Sequence, residues 1–271
     1  MPLAEELSLL DEIEASAWRD LVAAAPPDLV AMTGMACRQR GAVTALTAPR
    51  MPVPLYNRAL GLGNRAPATE AELDLVLGHF DEAGVRDPWI QVAPTAQPGA
   101  LVGWLAARGL VPARRSAWGK FVRGREPAPV VATDLAIREV DDADADRLVA
   151  VLLAAHGMPG LLGGQLRALV GRPGWRMYGA FDGDALVGGA AMRIDGTTAW
   201  LGLGGTAPSH RRRGGQGALM ARRIADAIAA GVEVIATETG EPIAGEHNPS
   251  RANMLRAGFR LAGARFNFVR G

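Results

Sequence analysis

The chain has 271 residues, 49% of them hydrophobic, which is enough for two cores of roughly 130 residues each. Its 29 basic and 28 acidic residues leave a formal net charge of +1, so no overall field attracts nucleic acid or an anionic membrane. Cys37 is the only cysteine, which excludes an intramolecular disulfide and is typical of a reducing compartment. No apolar run reaches about 18 residues, and the first residues are acidic, so we expect a cytoplasmic protein without a membrane partner.

Part of the first half recurs in the second. Residues 60–67 (LGLGNRAP) match residues 201–208 (LGLGGTAP) at six of eight positions, and further likenesses follow in the same order downstream. The offset grows from 141 residues at the first match to 149 at the last, which indicates a duplicated unit with a short insertion after the second Ala-Pro. In the first copy, Thr69 and Glu72 have the spacing of a helix capping box, and nothing there can hold a phosphate.

A linker is predicted at residues 124–134 (GREPAPVVATD), where prolines and small residues interrupt the periodic sequence. We therefore expect one domain at 1–123 and a second at 135–271.

The second half alternates strands and helices. Asp-Gly turns separate three predicted strands, at 175–181, 186–194 and 198–206. In the third strand, Ala199, Leu201 and Leu203 are expected on one face of the sheet, with Trp200, Gly202 and Gly204 on the other. A helix at 217–230, a strand at 232–239, a short helix at 250–257 and a final strand region at 259–269 follow. This order indicates a mixed α+β sheet.

A basic, glycine-rich loop at 209–217 (SHRRRGGQG) lies between the third strand and the helix. Unpaired N–H groups at a helix start form a site for a pyrophosphate, and three arginines can add charge-assisted contacts. A Walker loop is excluded because no Gly-Lys-Ser/Thr follows, and a Rossmann fingerprint fits badly because the preceding strands form hairpins.

Residues 201–223 (LGLGGTAPSHRRRGGQGALMARR) resemble motif A of the GNAT acyltransferase superfamily, Arg/Gln-x-x-Gly-x-Gly/Ala leading into a helix. Two registers are possible: Arg212-x-x-Gly215-x-Gly217, or Arg211-x-x-Gly214-x-Gln216, which aligns the helix better. In either register the resemblance implies a cofactor loop made of Arg211, Arg212, Arg213, Gly214, Gly215, Gln216, Gly217 and Ala218.

Residues 248–259 (NPSRANMLRAGF) are similar to motif B of the same superfamily, a small helix that ends in Gly-Phe. The likeness places Ser250 and Asn253 beside the cofactor. The two motifs imply an α+β fold of two tandem GNAT-like domains, each a mixed, mainly antiparallel twisted sheet flanked by helices, the first being a degenerate copy.

The resemblance implies acetyl-CoA as acyl donor and direct attack by an amine in a ternary complex, without an acyl-enzyme. It places the Gly204 N–H near the acetyl carbonyl and Thr206 near the pantetheine amide. Glu238, on the strand facing this site, is the candidate general base, with Glu241 behind it. Many relatives place a tyrosine at the position of Met254 to protonate the departing thiolate.

We therefore expect an N-acetyltransferase whose acceptor is a small-molecule or protein amine; a homodimer is left open. The alternative is an acyl-CoA-binding sensor without transferase activity, which Met254 and the degenerate first half favour. A nucleic-acid patch at 210–213 is disfavoured, because the basic cluster is only four residues long and flanked by glycines. No metal is expected, because His156 and His210 lack ligand spacing to a second histidine or cysteine.

Overall fold

The structure, a computed structural model, describes residues 1–51, 53–242 and 246–271, and the side chains of these residues except 114–116. The described helices of the first half are α1 (Leu3–Ala23), α2 (Pro27–Thr33), α3 (Glu70–Ala83) and α4 (Leu101–Ala107). Its described strands are β1 (Ala36–Arg40), β2 (Val43–Thr47), β3 (Arg58–Leu60), β4 (Trp89–Val92) and β5 (Leu110–Arg123).

The second half repeats this order of elements after one additional strand, β6. Its described helices are α5 (Ala145–His156), α6 (Gly163–Arg167), α7 (Gly215–Ala229) and α8 (Pro249–Arg256). Its described strands are β6 (Ala136–Glu139), β7 (Trp175–Asp182), β8 (Ala185–Asp195), β9 (Thr198–Thr206), β10 (Val234–Gly240) and β11 (Arg260–Arg270). The described helices include none with the length and apolar character needed to cross a bilayer.

The two halves share one sheet. Among the described residues it has 11 strands in the order β1-β2-β3-β4-β11-β5-β10-β9-β8-β7-β6. The last strand of each half has therefore moved into the middle: β11 pairs with β4 of the first half, and β5 pairs with β10 of the second. These two strands also pair with each other, antiparallel. Each half thus completes its sheet with a strand from the other.

The predicted α+β class, a mixed sheet flanked by helices, is confirmed. The repeated sequence at 60–67 and 201–208 leads in both halves from a strand towards a helix, α3 and α7. Residues 124–135 join β5 to β6 without a helix or strand. Because the last strands are exchanged, dividing the chain in this linker would separate strands that are paired in the sheet. The limits of the two domains remain a prediction.

Two layers of helices cover opposite faces of the second half. On one face, α1 and α5 pack over a core that includes Leu7, Leu148 and Trp200 and extends across both halves. On the other face, α7 and α8 pack over a separate core that includes Leu219 and Met254. The burial of these apolar side chains is the main force that holds helices to the sheet.

The expected alternation of faces along β9 fails at Leu203. Ala199 and Leu201 pack into the core under α7, but Leu203 packs against the core on the α1 and α5 side. The backbone of Leu203 has a left-handed φ of 53°. The pairing of β9 with β8 is out of register between the Gly189 and Ala191 pairs, as expected for a β-bulge. The bulge turns the Leu203 side chain to the opposite face of the sheet. A strict two-residue alternation of side chains cannot predict such a reversal.

Candidate active site

A cleft opens where β9 and β10 separate. The two parallel strands pair over residues 198–201 and 234–237, and the Thr237 hydroxyl donates to the Leu201 carbonyl across 2.8 Å at the end of this stretch. Both strands continue beyond it, to Thr206 and Gly240, with no further pairing between them in the described residues. The resulting cleft has a volume of about 300 Å³.

The bulge in β9 forms one wall of this cleft. Leu203 and Gly204 have no register partner in β8, because the pairs on either side involve Gly202 and Gly205. They also lie past the last pair with β10. The backbone of Gly204, which lines the cleft, is therefore outside both hydrogen-bonding ladders. The His156 ring, which also lines the cleft, is hydrogen-bonded to the Leu203 backbone in the bulge.

The cleft passes between the two helix layers. At one end it is lined from α7 and α8 by Gln216, Met220, Ser250, Asn253 and Met254. At the other end the first half contributes, with Trp18 and Leu21 on α1 and Leu55 and Tyr56 on the segment before β3. Of these lining residues, Gln216, Ser250 and Asn253 were predicted from the sequence as cofactor-binding residues.

Glu238 lies in the cleft on β10, one residue beyond the last pair with β9. Its side chain is only 9% exposed and forms an ion pair with Lys120 Nζ on β5. Lys120, the single lysine of the chain, is 2% exposed and also pairs with Glu14 on α1. The strand exchange creates this contact, because β5 is the neighbour of β10 in the sheet.

Further buried charges surround this lysine. Arg58 Nη2 lies 2.8 Å from Glu14 Oε1, and Arg265 pairs with both Glu14 and Asp11. Although burial opposes its ionisation, Arg265, Lys120 and Arg58 hold the pKa of Glu14 well below its usual range. Glu14 is therefore a permanent negative charge at neutral pH.

The pKa of Glu238 is shifted in the opposite direction. Burial, followed by the repulsion of the nearby Glu14 carboxylate, raises the pKa of Glu238 to about 7, against the opposing attraction of Lys120. A carboxyl group that titrates near neutral pH can both accept and release a proton under cellular conditions. The predicted base thus lies in the cleft, with the electrostatics that this role requires.

The predicted cofactor loop surrounds the start of α7. Gly214 precedes the helix in a left-handed conformation, with a φ of 79°, and provides no capping side chain. The N–H groups of the first helical turn therefore have no intrahelical acceptor. Arg211 and Arg212 are exposed, and neither forms an ion pair within the described chain. A pyrophosphate would find both backbone donors and cationic side chains here.

Several loop residues contact the protein itself. Gly214 lies so close to the linker that a Cβ there would be 2.4 Å from the Ala132 carbonyl oxygen, and a Cβ on Gly217 would be 3.2 Å from Val131. Gly215 is buried against Leu135, and Ala218 is buried as well. The glycines are thus needed for packing against residues 131–135, a reason that the sequence did not indicate.

Two polar side chains of the loop are also engaged. Arg213 forms ion pairs with Asp134 and, at 2.7 Å, with Asp182. Gln216 lies in the cleft, where its amide donates to the Thr206 hydroxyl across 3.1 Å. Its carboxamide oxygen lies beside Gly204, 3.0 Å from where a Cβ would be. In the register Arg211-x-x-Gly214-x-Gln216, this side chain stands where the motif has a small residue.

Among the described residues, the first half is closed at the corresponding place. After β4 the chain crosses the corresponding place, where the Gln97 N–H donates to the Gly63 carbonyl across 2.7 Å and the Gln97 carbonyl accepts from the Ala68 N–H. A Cβ on Gly63 would lie 2.6 Å from the Gln97 carbonyl oxygen. The segment fills the space that is open in the second half.

The residues of the second half fit an acyl-CoA. Five predicted site residues line one cleft: Gly204, Gln216, Glu238, Ser250 and Asn253. The bulged backbone of Gly204 and the uncapped start of α7 are donors of the kind that a thioester carbonyl and a pyrophosphate need. Lys120, Trp18 and Tyr56 were not predicted to belong to the site; of these, only the single lysine gave a signal, and it was ambiguous.

The fold is shared with solved structures of GNAT proteins, one of them a tandem GNAT protein. A GCN5-related N-acetyltransferase from Kribbella flavida superposes with a TM-score of 0.62 at 17% identity, covering 89% of this chain and 91% of that one. A tandem GNAT protein from the clavulanic acid biosynthesis pathway gives 0.60 at 19% identity, with coverage of 96% and 94%. A GCN5-related N-acetyltransferase from Sphaerobacter thermophilus gives 0.61 at 14% identity, with coverage of 84% and 76%.

At the level of sequence, neither a family model nor a curated protein matches the chain. The likeness is thus one of three-dimensional structure, and it extends over both halves.

Proposed function

We propose that this protein is an N-acetyltransferase that moves an acetyl group from acetyl-CoA to a primary amine. The observation that supports this most is the meeting of the bulged Gly204 backbone and the Glu238 carboxyl group in one cleft, at the point where β9 and β10 part. Acetyl-CoA supplies an activated thioester at this point when it is bound.

The donor would be held by the chain's second half. The amides of residues 212–217 and the side chains of Arg211 and Arg212 contact the pyrophosphate, and Ser250 and Asn253 flank the arm that enters the cleft. Gln216 leaves Thr206 to admit that arm. The Gly204 N–H donates to the acetyl oxygen, on which negative charge develops during attack.

Glu238 acts on the amine. Primary amines are mainly protonated at neutral pH, with a pKa of about 10 as for lysine, and only the neutral form attacks. In the reaction a bond forms between the amine nitrogen and the acetyl carbon, and the C–S bond breaks. Of the two protons that the ammonium loses, one leaves through Glu238 to solvent and the other ends on the thiolate sulfur. Met254 cannot pass that proton on, so water relays it from the nitrogen to the sulfur.

Thiol release tests the transfer, and calorimetry tests the binding. Purified full-length protein is incubated with acetyl-CoA and primary amines while free thiol is followed, and acetyl-CoA is titrated separately. The double variant Arg211→Ala/Arg212→Ala is expected to weaken binding about 2- to 30-fold, since an exposed ionic contact contributes about 0.2–1 kcal/mol. Arg38→Ala, an exposed arginine on the edge strand β1, is the matched control and should bind normally. Binding unaffected by the double variant would contradict the loop assignment.

The second candidate is an acyl-CoA sensor without turnover. Two observations favour it: Met254 lies in the cleft where a proton donor is usual, and the Gln216 side chain fills the groove beside Gly204. Tight acetyl-CoA binding without thiol release for any amine would select this function.

A further inference from the structure

The cleft has a donor end and an acceptor end. Gln216, Met220 and Met254 belong to the layer of α7 and α8 that would hold the acyl donor. The opposite end is lined by the other helix layer, with Trp18 and Leu21 from α1 and Tyr56 from the first half. An amine would reach the thioester from this opposite end, so these side chains surround the body of the acceptor.

This end contains almost no charge. Among the described lining residues, the ionisable side chains are Tyr56, His156, Arg223 and Glu238. Burial raises the pKa of Tyr56, and its hydroxyl donates to Gln165 across 2.9 Å. Burial lowers the pKa of His156, more than its hydrogen bond to the Leu203 backbone raises it. Both groups are therefore neutral at pH 7.

Arg223 is charged, but its guanidinium is already hydrogen-bonded within the protein. It is 2% exposed, and its guanidinium donates to the backbone carbonyls of Leu219, Ala191 and Gly202. It therefore holds α7 to the strands and cannot pair with a carboxylate on a substrate. Among the described lining residues, only Glu238 is left to pair with a charged group on a substrate. One carboxylate can pair with one ammonium group.

We infer that the acceptor is a primary amine on an aromatic or aliphatic body that bears no second charge. This inference rests on the proposed transferase function. It excludes polyamines, whose second ammonium would have no carboxylate, and free amino acids, whose carboxylate would have no available cation. Transfer of an ionised group into such an apolar end without a partner is unfavourable.

Matched pairs of amines test this specificity on the unaltered protein. Hexylamine differs from 1,6-diaminohexane by one ammonium, and phenethylamine differs from phenylalanine by one carboxylate. Both thiol release and direct calorimetric binding are measured. The member of each pair that lacks the second charged group is expected to have at least a tenfold higher kcat/KM. Equal or reversed values would overturn the inference while leaving the transferase function intact.

Binding separates the two proposals. If no amine releases thiol but hexylamine binds at least tenfold more tightly than 1,6-diaminohexane, the acceptor class stands and the transferase function fails. If both amines bind equally, or neither binds, the acceptor class fails.

A variant tests the location of the acceptor end. Leu55→Glu places a second carboxylate in the cleft and is expected to raise kcat/KM for 1,6-diaminohexane relative to hexylamine by at least tenfold. Leu75→Glu is the matched control, because Leu75 on α3 is 66% exposed and lies outside the cleft. An unchanged ratio in a folded Leu55→Glu protein would place the acceptor elsewhere.

Discussion

Replacement of Glu238 by glutamine should make the protein's stability less sensitive to pH. The side chain is buried beside Glu14 and Lys120, and its pKa is raised from an ordinary 4.5 to about 7. The unfolded chain has no such environment, so Glu238 ionises there at the ordinary value. A raised pKa of this kind couples folding to proton binding.

The sign and the size follow from this difference. Below the ordinary pKa both states hold the proton, and the contribution to stability is complete. As the pH rises the unfolded state ionises first, so the folded state loses stability until the pH has passed about 7. One pKa unit corresponds to about 1.4 kcal/mol, so the free energy of unfolding should fall by roughly 2–3 kcal/mol between about pH 5 and pH 8.

The assay is urea denaturation of the wild type and Glu238→Gln at both pH values. The pH dependence from Glu14 and from other groups is common to both proteins and largely cancels in the difference. We expect the wild type to lose roughly 2–3 kcal/mol relative to the variant over this range. A difference that does not change with pH would show that Glu238 titrates normally, and would refute its description as a buried, tuned base.

Four further predictions follow from the same geometry. The kcat/KM should rise with pH through about 7, the raised pKa of Glu238, and Glu238→Gln should abolish this limb and lower the rate by about 10²- to 10⁴-fold; an unchanged profile would exclude this base. Lys120→Met removes a cation that lowers this pKa, so the limb should move to higher pH while stability in denaturant falls by about 3–5 kcal/mol; a shift to lower pH would contradict the ion pair. Gly214→Ala should lower the melting temperature more than Gly231→Ala, since both glycines have a positive φ but only at 214 would a Cβ meet the Ala132 carbonyl; equal losses would argue against that contact. Removal of residues 1–128 deletes β5 and β4, and the fragment should aggregate in size-exclusion chromatography; a monodisperse, active fragment would argue against the strand exchange.

The tandem fold was predictable because the repeated segment and the two motifs keep their order in both halves. The exchange of β5 and β11 was not predictable. The alternation of apolar and polar residues along a strand shows which face is buried, but not which strand lies beside it. Lys120 illustrates the consequence: its two carboxylate partners are 106 and 118 residues away in sequence. No local pattern could have joined them.

The position of the glycine-rich loop between β9 and α7 was predictable from the sequence, but its contacts were not, and its role in cofactor binding remains a prediction. The sequence shows that glycine stands at 214, but not whether a ligand or the protein approaches it, and the structure places Ala132 there. Similarly, a left-handed leucine at 203 cannot be foreseen from hydrophobic periodicity, because leucine rarely adopts a positive φ. Such positions are expected where a site imposes its own geometry on the chain.

A crystal structure with bound acetyl-CoA tests the central claim most directly. We predict the pyrophosphate at the start of α7, beside Arg211 and Arg212, and the thioester carbonyl within hydrogen-bonding distance of the Gly204 N–H, on the same side of the cleft as Glu238. Acetyl-CoA bound to the first half, or with its thioester outside the gap between β9 and β10, would contradict the proposed site.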